Sequence, residues 1–312
     1  DRPLSVAGKV VLKGENPFRP RICYVDFARP ILTIPNLAIH MNREVNKGVE
    51  LNRQTDMLPL AGMVQETLEK DQYFMNALAA ELSDDPSSIL GYDLCIYNAE
   101  APCLTGLKEE FLSGPRLDNL TSVQACLSGL LRSGRERGID IIAMFDNEEV
   151  GSSSRQGACG TLFADVLARI EESLGVTKEQ SIRARTNTLL LSADNGHATH
   201  PNHPEKSDPA NPIVMGGGVL LKTNASQKYT TSGFTGAAFS AICKKAGVPV
   251  QTFANRADVP GGSTLGSIAG TLVPVSAVDI GLAQLAMHAA VEVMGAEDYP
   301  RLIAAMRQFY KE

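Results

Sequence analysis

Apolar positions along this chain follow two different rhythms. Residues 4–12, 21–27 and 31–41 are rich in β-branched side chains and bounded by Pro, Gly and Asn, which predicts strands. A helix is expected at 73–83. From about residue 93 the pattern alternates. Strand-like runs at 91–99, 139–145, 188–193, 248–254 and 275–281 are separated by segments of helical spacing. The helical segments are 119–133, 161–174, 234–245 and 282–294; in 161–174, for instance, Leu162, Val166, Leu167, Ile170 and Leu174 share one face. Alternating strands and helices predict an α/β fold with a mostly parallel sheet flanked by helices. The expected division is a β-rich domain at 1–92 and an α/β domain at 93–312.

Composition narrows the function. The chain has 312 residues, 44% hydrophobic and 21% charged, with a formal net charge of -6. No basic cluster stands out, which argues against a nucleic-acid partner. No run approaches the ~20 apolar residues a membrane span needs. The six cysteines lack CxxC spacing and read as reduced thiols, so a cytoplasmic location is expected.

Acidic residues gather where strands end. The run 141–151 passes from an apolar stretch into Asp146, Glu148 and Glu149, and 188–200 passes from another into Asp194, then His197 and His200. Asp118 precedes a predicted helix. Ligands of open α/β sheets bind beyond the carboxyl ends of the strands, so these clusters suggest a cation site. Blander readings stand beside this one. Asp118 alone reads as a helix N-cap, and a Glu pair is commonly a solvated face. His197 and His200 would pair as ligands only on a helix, against which Asn195, Gly196, Pro201 and Pro204 argue. His288, inside the predicted 282–294 helix, reads as a core histidine. Adjacent glutamates do have a mechanistic use. One can bind a metal while the other takes a proton from a water whose pKa the metal lowers from ~15.7 toward ~7.

The ordered motifs RLDNL (116–120), FDNEEVGSSSRQGA (145–158), SADNGHATHPNHPEK (192–206), GVLLKTNASQKY (218–229), DVPGGSTLG (258–266) and AMH (286–288) resemble the aspartyl aminopeptidases, a family of dinuclear zinc peptidases. DRPLSVAGKVV (1–11) and RPILTIPNLAIHMNR (29–43) resemble the same family. The resemblance implies that Asp118 bridges two divalent ions, with Glu149 and His288 completing one site and Asp194 binding the other ion. It implies Glu148 as general base and His197, Lys222 and Tyr229 as substrate-pocket residues. The metals would be zinc, with cobalt and manganese as alternatives. The substrates would be peptides beginning with Asp or Glu. Residues 1–92 would form an inserted dimerisation domain, dimers would assemble into a tetrahedral dodecamer, and His40 would reach a neighbouring subunit's active site. His40 also reads as a polar edge-strand residue, and Lys222 as a solvated lysine.

The family's second metal also takes a histidine from a His-x-Asp motif ahead of the region that opens this chain. None of His40, His197, His200, His203 and His288 is followed two places later by Asp. That ligand, and the N-terminal part of the catalytic domain, are therefore expected outside these 312 residues. Two rival classes share part of the pattern: a related two-metal deacylase, which a substrate panel would separate, and a non-catalytic assembly subunit. A scaffold would have no physical need for Asp118, Glu148, Glu149, Asp194 and His288 together.

Overall fold

The structure, a computed structural model, describes residues 2–63, 67–132, 134–259, 261–262 and 264–312. Asp1, Ser133 at the end of the predicted 119–133 helix, and Pro260 and Ser263 of the 258–266 motif lie outside the described residues. The chain divides into two compact units, Asp1–Ala101 and Pro102–Glu312.

The first unit contains β1 (Leu4–Asn16), β2 (Arg19–Asp26), α1 (Thr67–Leu82) and β3 (Ile89–Asn98). Its sheet has the order β2-β1-β3, with both pairings antiparallel. Alternation along β1 sends Val6, Val10 and Leu12 inward, where they meet Val25, Phe27, Leu32 and Leu78 in a small core. On the other face Tyr24 is 82% exposed, beside the half-exposed Ile22. Two expectations change here. The 91–99 run, assigned by pattern to the second domain, is the third strand of this sheet, because β3 pairs with β1 from Leu4 to Leu12. Residues 31–41 form no strand. Pro30, Pro35 and Asn36 interrupt the run, leaving bridges only at Leu32 and Thr33.

The second unit runs β4 (Cys103–Thr105), β5 (Phe111–Gly114), α2 (Leu117–Leu131), α3 (Leu162–Ser173), α4 (Lys178–Thr186), β6 (Leu189–Ala193), β7 (Gly196–His197), β8 (Val219–Lys222), α5 (Gly233–Ala246), β9 (Val250–Phe253), α6 (Leu265–Leu272), β10 (Ser276–Gly281), β11 (Ala283–Leu285), β12 (Glu292–Gly295) and α7 (Asp298–Phe309). Its central sheet has the order β6-β10-β8-β9, parallel at β6/β10 and β8/β9 and antiparallel at β10/β8. Val219, Val278 and Ile280 of this sheet pack with Ala125, Phe239, Leu302 and Met306 of α2, α5 and α7 in one core. The fold is α/β, with helices flanking parallel-containing sheets. Local signals agree with the packing at α5. Ser232 and Thr235 form a capping box at its start, and Gly247 ends it in the left-handed region at φ 68°.

A second sheet, β4-β5-β12-β11-β7, is antiparallel except at β11/β7. The predicted 282–294 helix is replaced by two of its strands. Ala286 and His288 between them take φ of 55° and 66°, which no α-helix accommodates. Pairing of β11 with β7 and β12, and of β12 with β5, overrides a helical apolar spacing. The apolar run 139–145 also takes no strand.

Two chain crossings join the sheets side by side. β6 passes through Asp194 and Asn195 into β7, while β10 passes through Gly281 and Leu282 into β11. Backbone bonds lace them together: Asp194 N–H to Ile280 O at 2.9 Å, Gly196 N–H to Leu282 O at 2.9 Å and Ala198 N–H to Gln284 O at 2.8 Å. Gly281 is required there, since a Cβ would collide with the Asp194 carbonyl. Among the described residues no helix is long and apolar enough to cross a membrane.

Candidate metal centre

Three of the singled-out side chains meet at one point. Nε2 of His288 lies 3.3 Å from Asp118 Oδ2 and 3.1 Å from Glu149 Oε2. One ligand atom from each of the three falls within 4.8 Å of the other two. Each arrives from an irregular stretch of backbone. Asp118 sits at the start of α2 with extended φ/ψ of -83° and 114°, so the helix N-cap expected of it is not formed. His288 sits in the β11–β12 turn rather than in a helix. Glu149 belongs to the loop after Asp146, which braces itself: Gly151 N–H donates to Glu148 O at 2.9 Å, Ser152 N–H to Asn147 O at 2.9 Å and Cys159 N–H to Ser152 O at 3.2 Å.

Electrostatics mark the same point. Burial, followed by the charges of Asp194, Glu149 and Glu292, pushes the Asp118 carboxyl up to about 7, with His288 acting the other way. Burial, then Asp194 and Glu149, also raises Glu148, while His288 and Lys222 oppose this. Glu148 is half-buried in the same field. Asp118 Oδ1 is buried and, among the described residues, accepts no hydrogen bond. Crowded carboxylates with an orphaned buried oxygen and an imidazole alongside are a donor set suited to a divalent cation. The residues present therefore fit a metal ion.

Asp194 lies at the sheet junction, where its carboxylate meets the ammonium of Lys222 (Oδ2 to Nζ, 3.5 Å). Lys222 is not a solvated lysine: it is 2% exposed, donates to the Asn195 carbonyl at 2.6 Å and holds Nζ 5.5 Å from the Tyr229 ring centroid. Desolvation raises the buried Tyr229 phenol. Desolvation, then Lys222 and His288, holds the His197 imidazole below its ordinary value. His197 is the second residue of β7, not part of a helix, so the helical spacing that would make it and His200 a ligand pair is not formed. His200 instead lies against His203, with ring centroids 5.2 Å apart. His40 belongs to the first unit and is exposed.

Two buried residues to which the sequence assigned no role bond to the backbone around this cluster. Asn195, 3% exposed, donates through Nδ2 to Leu117 O (3.0 Å), Thr121 Oγ1 (3.0 Å) and Gln284 Oε1 (3.2 Å). Its Oδ1 accepts from Leu282 N–H at 3.1 Å. Glu292, 2% exposed, accepts from the backbone of Asp118 and of His288. The available signals were faint: an Asn directly after a strand-end Asp, and one Glu between two valines.

A cluster able to hold a metal ion, on an α/β scaffold, fits the class of metal-dependent hydrolases. The family profile described as "Aminopeptidase I zinc metalloprotease (M18)" matches residues 1–310. A "Probable M18 family aminopeptidase 2" of Clostridium novyi is 45% identical over 310 residues, covering 99% of this chain and 72% of that protein. One of the same name from Streptomyces coelicolor is 39% identical, covering 97% and 70%. Among solved structures, the chain matched in the Ape4–Nbr1 complex superposes with TM-score 0.91 at 33% identity, over 99% of this chain and 63% of that one. An M18 aminopeptidase from Thermotoga maritima shares the fold with TM-score 0.83 at 21% identity, over 100% and 71%. The chain belongs to the M18 family of aminopeptidases, a zinc metalloprotease family, and is with it a hydrolase.

Proposed function

We propose that this protein removes the N-terminal residue of peptides at a two-cation centre, with a preference for Asp or Glu in first position. The observation that carries the reading is the meeting of Asp118, Glu149 and His288 around an unpartnered buried oxygen of Asp118. In it, Asp118 would help to hold two divalent ions, zinc by family habit, with Glu149 and His288 at one site and Asp194 at the other. Ions so held would lower the pKa of a water and polarise the scissile carbonyl. Glu148, its basicity raised by burial, accepts the water's proton and delivers it to the leaving amine.

The acidic preference rests on Lys222, His197 and Tyr229. Lys222 is a fixed cation in a buried setting, where its field is screened little by water. A substrate carboxylate near it gains what a neutral side chain cannot. Self-association through the first unit is part of the same reading, and the exposed Tyr24 and Ile22 on one face of its sheet favour it. A solved relative from S. cerevisiae is described as a dodecamer, and we extend that assembly to this chain, with His40 reaching a neighbour's centre. Six free cysteines suit a reducing cytoplasm.

The test is a peptide panel differing only in the first residue, assayed with zinc, cobalt or manganese and again after chelation. Release of single N-terminal residues, abolished by chelator and restored by metal, is the expected result. Metal-independent release, or cleavage inside the peptide, would overturn the reading.

A further inference from the structure

Glu292 is a buried carboxylate that the chemistry above does not use. It opens β12, which is held on one side by β5, with Glu292 opposite Gly114, and on the other by β11. Its side chain is therefore anchored to a sheet and not to a loop. Its two oxygens are divided between two backbone donors. Oε2 accepts from Asp118 N–H at 2.9 Å and Oε1 from His288 N–H at 2.6 Å. Both donors lie on backbone that no helix or ladder secures: Asp118 is extended at the head of α2, and His288 has φ of 66°. Among the described residues no cationic side chain pairs with Glu292.

From this geometry we infer that Glu292 is a positioning residue for the metal centre, fixing Asp118 and His288 relative to one another through their backbone amides. The inference rests on the ligand roles proposed above for those two residues. A carboxylate suits the task because it accepts two N–H bonds at once, and charge-assisted bonds are shorter and stronger than neutral ones. An amide at the same place keeps one acceptor and turns an NH2 toward the other donor. Neither substitution nor repacking of the loop after Asp146 would reproduce the shared anchor, since Glu149 comes from elsewhere in the chain.

The experiment compares the full chain with Glu292→Gln, Glu292→Asp, Asp118→Ala and Asp298→Asn. Affinity for zinc is measured by competition with a chromophoric chelator, and coordination by the visible spectrum of the cobalt-loaded protein. Partners that orient metal ligands are typically worth about 10- to 100-fold in metal affinity. Glu292→Gln is expected to lose about that much and to change the cobalt spectrum, with Glu292→Asp, which keeps the charge but shortens the reach, falling between it and the unaltered protein. Asp298→Asn is the structural control. Asp298 is a second fully buried carboxylate that accepts two backbone N–H bonds, from Gly216 and Gly218. Its substitution is expected to lower thermal stability while leaving affinity and spectrum unchanged. If Glu292→Gln does not fold, Glu292→Asp carries the comparison. An affinity within twofold of the unaltered protein, with an unchanged spectrum, overturns the positioning role. Unaltered affinity in Asp118→Ala overturns the ligand assignment itself, and this inference falls with it.

Discussion

The imidazole of His288, 60% exposed, rests 3.3 Å from a carboxylate of Asp118 that is only 5% exposed. An open donor and a closed one thus face the same point. Without a cation, Asp118 carries an uncompensated cost, and its carboxyl is pushed up to about 7 from 3.8.

That shift sets the sign of a pH dependence. A carboxyl whose folded value is raised contributes most below its unfolded value, and the contribution disappears as pH rises through the folded value. Metal-free protein should therefore lose stability between pH 4 and about 7. The opposite shift of His197 partly offsets this below pH 6.5. Thermal melting in chelator across this range is the measurement. Asp118→Asn, uncharged throughout, should flatten the slope and melt higher than the unaltered protein at pH 8. With zinc present the order at pH 8 should reverse. A chelated protein whose midpoint rises steadily from pH 4 to 8 would contradict the assignment.

Glu148→Gln separates metal binding from proton transfer. The amide retains size and some hydrogen bonding but cannot accept the proton. General-base contributions are typically ~10²–10⁴-fold in rate, so kcat should fall by about that factor while zinc content is unchanged. Near-full activity in a metal-loaded variant would remove Glu148 from the mechanism.

The sequence made some parts of this centre legible and hid others, for physical reasons. Periodicity located α2 and α5 because each buries a stripe of its own, and it located α3 although Leu162 and Val166 of the apolar face stay exposed; the strand-end acids stood out because charge follows an apolar run. His288 was misread as helical because AQLAMHAAVEVM has helical spacing. Its true setting depends on β5 and β7, which no local pattern reveals. The failure of 139–145 to form a strand has the same origin, since an apolar run does not disclose whether a partner edge is available. Glu292 was invisible because its role lies entirely in what it contacts. The motifs that carry the family resemblance contain Asp118, Glu149 and His288, which the structure brings together.

Asn195 should prove costly to replace. In Asn195→Ala, the buried Leu282 N–H and Gln284 Oε1 each lose their partner. An unsatisfied buried group costs about 1–3 kcal/mol, so urea denaturation should show a loss of roughly 2–6 kcal/mol. Because Asn195 ties the strand-end bearing Asp194 to the head of α2, zinc affinity should fall as well. A stability loss below about 1 kcal/mol would mean that water or relaxation replaces these bonds.

Lys222 decides whether the acidic preference has the origin proposed for it. Its ammonium is already engaged by the Asn195 carbonyl and, at 3.5 Å, by Asp194, so removing it must disturb the centre for every substrate. The informative quantity is therefore a ratio: kcat/KM for peptides beginning with Asp or Glu over those beginning with Leu or Ala. Lys222→Met keeps a buried stem of similar length and removes the charge, which limits the cavity that alanine would leave. A hydrogen bond to a charged group contributes about 1.5–3 kcal/mol, and 1.36 kcal/mol corresponds to roughly tenfold. The ratio should fall by about 10- to 100-fold in Lys222→Met, with the neutral substrates bearing only the common loss. Equal losses for acidic and neutral peptides would show that Lys222 serves Asp194 and Asn195 alone. Selectivity would then have to arise from His197 and Tyr229, or from His40 of a neighbouring subunit, and a His40→Ala variant assayed as the assembled protein would distinguish those sources.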